Sequence, residues 1–85
     1  MKLVMFSVKD IKAGAFSPVQ CMPNVSVAQR SYANAMRSRP DCEWALNPSD
    51  FELFCVGQYD DVTGEVFVES DFPRFVCSFS SFVKE

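Results

Sequence analysis

Apolar positions recur along this chain with two different periods, and the changes of period mark its elements. KLVMFSVK, residues 2–9, is short, β-prone and alternating, with Val4, Phe6 and Val8 on one side and Leu3, Met5 and Ser7 on the other. That pattern predicts a first strand buried on at least one face. Gly14 breaks the run, and AFSPVQCM predicts a second, irregular strand. Pro18 has no amide hydrogen to give to a ladder, so this strand belongs at a sheet edge or carries a bulge.

The period then lengthens. NVSVAQRSYANAMRSRP carries Ala28, Tyr32, Ala35 and Met36 at helical spacing, which predicts a helix with these residues turned inward. Ser26 and Gln29 have capping-box spacing, with Asn24 as the alternative cap. Pro40 stops the helix and drives Arg39 out of helical conformation. A short turn is expected around ALNPSD.

Beyond it, Phe51, Leu53 and Cys55 alternate with Glu52, Phe54 and Val56, and residues 65–69 alternate in the same way. The intervening YDDVTGE predicts a hairpin bend: a type I turn closing into a left-handed Gly64, with an aspartate accepting from its own backbone. RFVCSFSSFV predicts a final strand with Phe75, Cys77 and Phe79 on one face. These elements amount to an α+β fold: an antiparallel sheet of four or five strands with one helix packed across a face. With 85 residues, 48% apolar, the chain is expected to be a single domain, residues 1–85, with one core.

Charge and candidate chemistry narrow the function more than they define it. The chain contains no histidine, which excludes a conventional Ser–His or Cys–His nucleophile. Its three glycines cannot build a phosphate-cradling loop, and its carboxylates fall in turns and at strand edges. No catalytic residue, cofactor or metal ligand is therefore expected. Asp60 and Asp61 are adjacent, whereas a calcium loop spaces its oxygens at alternate positions. Cys21, Cys42, Cys55 and Cys77 lie far apart, and Cys55 and Cys77 read as small core residues. No run reaches the roughly 18 apolar residues of a membrane span. Lys9, Asp10 and Lys12 interrupt the N-terminal run too early for a signal peptide, so an intracellular protein without membrane contact is expected.

One polar stripe stands out. Arg30, Asn34 and Arg37 are spaced i, i+4, i+7 on the predicted helix, with Arg39 just beyond. The commoner use of such a stripe is a solvated face whose arginines favour the helix dipole. Its functional use is phosphate contact, with Lys9 and Lys12 joining if the fold brings them near. A net charge of −3 argues against strong non-specific duplex binding. Exposed rings would suit single strands, and Phe16, Tyr32, Tyr59, Phe72 and Phe82 are the candidates.

Three segments, MKLVMFSVKDIKAGAF, MPNVSVAQRSYANAMRS and NPSDFELFCVGQYDDVTGEV, occur in an order and spacing that make a family familiar. Over about residues 1–68 the chain resembles the small non-structural protein of gokushoviruses, microviruses with single-stranded DNA genomes. RFVCSFSSFVKE matches only as a generic apolar strand. The resemblance implies a phage protein of the host cytoplasm, absent from the mature capsid and acting in single-stranded DNA replication or packaging, and with the residue chemistry above a non-enzymatic one is expected. It assigns no residue a role. Two readings stay open: a protein that binds single-stranded DNA, directly or through a viral or host replication protein, and an interaction module that never touches nucleic acid. A surplus of phenylalanine and proline-marked edges also leaves room for a homodimer.

Overall fold

The alternation along residues 2–9 and 51–56 builds the two central strands of one antiparallel sheet. The computed structural model describes residues 1–83. Its elements are β1 (Lys2–Asp10), β2 (Ala15–Phe16), β3 (Gln20–Met22), α1 (Val25–Ser38), α2 (Glu43–Leu46), β4 (Phe51–Asp60), β5 (Val66–Phe67) and β6 (Arg74–Ser78). Short 3-10 turns lie at Pro48–Asp50 and Phe79–Phe82, the second replacing the end of the strand expected over residues 74–83, and Lys84 and Glu85 lie outside the described residues.

β1 pairs along its length with β4. The outer edge of β1 is shared by β2 and β3, and the outer edge of β4 by β5 and β6. The fold is therefore α+β as expected, with six strands instead of four or five because each edge is broken in two. On the β1 side the break falls at Pro18. Ser17 patches it: its hydroxyl accepts from the Val8 amide at 2.9 Å, and its own amide donates to the Val8 carbonyl at 2.8 Å. On the β4 side only Val66–Phe67 of the alternating 65–69 run pairs, and β6 resumes the edge further along.

One face of the sheet is covered. α1 and the C-terminal 3-10 turn pack on Phe6, Val8, Phe51, Leu53 and Cys55, and Phe79 sits fully enclosed. Its ring lies 4.9 Å from Trp44, 5.1 Å from Phe82, 5.9 Å from Tyr32 and 6.4 Å from Phe51, centroid to centroid. Burying one such ring contributes about 1.5–3 kcal/mol, so this aromatic knot is a main source of stability.

Asn24 caps α1, its side chain accepting from the Val27 amide at 2.9 Å, in place of the Ser26–Gln29 box. The inward residues are Ala28, Tyr32, Ala33 and Met36. Ala33 takes the place expected of Ala35, because the helix leans on the sheet with its Ala33 flank. Ala35 faces solvent beside Arg39, Cys42 and Trp44. Arg39 leaves helical geometry before Pro40, as predicted.

The hairpin bend forms as read. Gly64 is left-handed, with φ of 79°, and Asp60 accepts from the amides of Val62 at 2.9 Å and Thr63 at 3.3 Å. These bonds hold the Asp60 carboxyl below its ordinary value. The Met1 amine reaches Asp61 at 2.8 Å beside it, and that hydrogen bond raises the amine's pKa.

Candidate nucleic-acid interface

Directly paired residues in an antiparallel ladder point to the same side of the sheet. The register therefore fixes what occupies the face away from the helix. Leu3, Tyr59 and Val66 form one row, Met5 and Gly57 the next, Ser7, Phe54 and Phe75 a third, and Phe16, Lys9 and Glu52 a fourth. Among the described residues no helix packs over these rows, and the connection after β5 borders them through Val68, Phe72 and Pro73.

Two register shifts make this face what it is. Met5 pairs with Gly57 while Phe6 pairs with Cys55, so Val56 is an extra residue in β4. Likewise Leu53 pairs with Cys77 and Phe54 with Phe75, so Val76 is extra in β6. The second bulge corrects the expectation that Phe75, Cys77 and Phe79 share a face. Cys77 and Phe79 turn to the core, and Phe75 is sent to the open side, 54% exposed.

Phe54 becomes the middle of a row of three rings. Phe16, 45% exposed, meets it edge to face at 5.4 Å, and Phe75 does so from the other side at 5.7 Å. Beneath the rings Ser7 is buried, its hydroxyl donating to the Ser17 carbonyl at 2.7 Å. A shallow depression of about 200 Å³ adjoins the row, lined by Phe16, Val56, Val68, Phe72 and Pro73. Gly57, next to Val56 in the chain, is tightly enclosed: a Cβ there would come within 3.1 Å of the Phe67 carbonyl oxygen and 3.3 Å of Met5 Sδ. The cation on this face is Lys9, its Nζ 5.8 Å from the Phe16 ring centre. Arg74 pairs with the core-side Cys55 and so belongs to the covered side; it lies over Phe72 and donates twice to Asp71 Oδ2.

The residues singled out from sequence are dispersed by the fold. Arg30, Asn34, Arg37 and Arg39 are exposed on α1 and at its end, on the covered side of the sheet. Arg37 is partly occupied there, since its Nη2 donates to the Phe82 carbonyl at 3.2 Å and ties the C-terminal turn to the helix. Lys9 stands on the opposite face, and Lys12, in the β1–β2 turn, pairs with Asp50 at 3.8 Å. Neither lysine extends the arginine stripe. Of the candidate rings, Tyr32 and Phe82 are core residues, Tyr59 and Phe72 are half-buried, and Phe16 is open. Phe54 and Phe75 were missed. Alternation placed Phe54 opposite Leu53 and could have found it, whereas no residue pattern announces the bulge that exposes Phe75.

What such a face can do is bind, through rings and aliphatic surface, a flat or apolar partner. Among the described residues, no three potential metal ligands of the His, Cys, Asp or Glu type come together, and no helix is long and apolar enough to cross a membrane. No curated protein and no solved structure gives a significant match to the chain. Residues 3–82, from the first central strand to the closing aromatic turn, match the family described as Phage ORF5 protein, and the chain belongs to that family of phage proteins.

Proposed function

We propose that this phage protein is a non-enzymatic accessory factor of single-stranded DNA genome replication or packaging in the host cytoplasm, and that it holds single-stranded DNA on the uncovered face of its sheet. The observation that carries the reading is the row Phe16–Phe54–Phe75 on a face that no helix among the described residues covers. Unpaired bases stack on such rings irrespective of sequence, each contact contributing about 1–3 kcal/mol. A duplex hides its base faces, so the preference is for single strands. Lys9 stands at one end of the row to meet a phosphate.

Fluorescence anisotropy of a labelled oligo-dT, at low and moderate salt, tests this reading. The expected result is weak binding that Phe54→Ala with Phe75→Ala abolishes and Arg30→Ala with Arg37→Ala leaves nearly intact. The affinity falls only gently with salt, the logarithmic slope being about −0.7 per phosphate contact. If the arginine pair carries the binding instead, the site lies on α1. A second reading, a module that binds a viral or host replication protein, is favoured by Glu52 beside Lys9 on the same face and by the net charge of −3. Absence of binding at low salt decides for it.

A further inference from the structure

The open face carries one cation and one anion side by side, and that arrangement fits a second copy of the same face. Lys9 and Glu52 are direct cross-strand partners, Lys9 on β1 and Glu52 on β4, and they do not form an ion pair with each other. Two sheets that pack face to face with their strands roughly aligned can be related by a dyad running along the strands. With that axis between β1 and β4, β1 of each copy lies over β4 of the other. Each Lys9 then meets the other copy's Glu52, and two opposite-charge contacts form from a single pair of residues.

The same operation exchanges the two edges of the sheet. Phe16 comes from the edge beyond β1 and Phe75 from the edge beyond β4. The dyad therefore carries Phe16 of one copy toward Phe75 of the other, with both Phe54 rings at the centre. Val66 and Val68, 55% and 68% exposed, extend the apolar area along the face. A polyanion gains nothing from Glu52, whereas a second copy uses both charges.

We infer that a second copy of this chain docks on the uncovered sheet face through a strand-parallel dyad, closing a two-sheet sandwich sealed by reciprocal Lys9–Glu52 contacts. One further consequence rests on the function proposed above. Because the dimer and single-stranded DNA use the same rings, each strand bound releases a partner, and the dimer is the form of the protein that waits for DNA.

Sedimentation velocity of the full chain over a wide concentration range, with circular dichroism as a check on folding, tests the dimer. The wild type is expected to pass from monomer to dimer as concentration rises. Lys9→Glu and Glu52→Lys each set two like charges against one another across the dyad and weaken association by about tenfold or more. The double variant K9E/E52K restores the pairing with its sign reversed and dimerises like the wild type. A wild type that stays monomeric throughout, or a double variant no better than the single ones, overturns the dimer. Adding oligo-dT is expected to convert dimers into complexes of one chain each, and strand-bound dimers overturn the competition. Failure to bind DNA at all removes the competition together with the proposed function, while the charge swap still decides the dimer by itself.

Discussion

The two faces of this sheet are made by the same strands, yet they have opposite fates. On one, Phe6, Val8, Leu53 and Cys55 are sealed beneath α1 and the aromatic knot around Phe79. On the other, Phe16, Phe54 and Phe75 form a second aromatic row that no helix among the described residues covers. Strict alternation would have put Phe75 on the same face as Cys77 and Phe79. The extra residue Val76 sends it to the other side. The comparison teaches that ring content does not separate the core from the open face here. A bulge does, by deciding which rings the helix can reach.

The largest contrast between the faces lies in stability. Phe79→Ala empties the centre of the knot and is expected to cost about 3–5 kcal/mol, enough to unfold much of so small a domain. Phe75→Ala on the open face should cost about 1 kcal/mol or less. Urea unfolding of both variants checks this, and a severe loss from Phe75→Ala would erase the distinction between the faces.

A smaller effect comes from the bend that holds Tyr59 and Val66 in register on the open face. Gly64→Ala meets no steric neighbour but must adopt a left-handed backbone, with φ of 79°. The expected loss is about 1–2 kcal/mol, read from thermal unfolding. The least change is with pH. The folded Asp60 carboxyl lies below its ordinary value of 3.8 because the Val62 and Thr63 amides donate to it. Its stabilisation is therefore complete above that ordinary value and is lost as pH falls through the lower folded one. Asp60→Asn should flatten that part of an acid unfolding profile.

Much of the covered face was legible from the residues. KLVMFSVK and FELFCV alternate cleanly, Pro18 marks an edge by lacking a donor, and Asp60 with Gly64 dictates the bend by local chemistry. The helix was found, with one flank misplaced: the row Ala28–Tyr32–Met36 follows from periodicity, but whether Ala33 or Ala35 accompanies it depends on which side the sheet lies. The open face was read least well. Its composition depends on register, and register depends on two single-residue bulges whose residues, Val56 and Val76, look like any other strand valine. The arginine stripe had the reverse fate. It was plain in sequence, and the fold set it on the far side of the sheet from Lys9, with Arg37 bonded to the Phe82 carbonyl.

The central claim is that the uncovered sheet face, and not the helix, is the working surface of this phage protein. Titrating isotopically labelled protein with oligo-dT and following its NMR spectrum tests that claim most directly. The account predicts large shifts of the Phe16, Phe54 and Phe75 ring signals and of the Lys9 amide, with Arg30 and Asn34 unmoved. Shifts confined to α1 and its arginines, with the three rings silent, would contradict it.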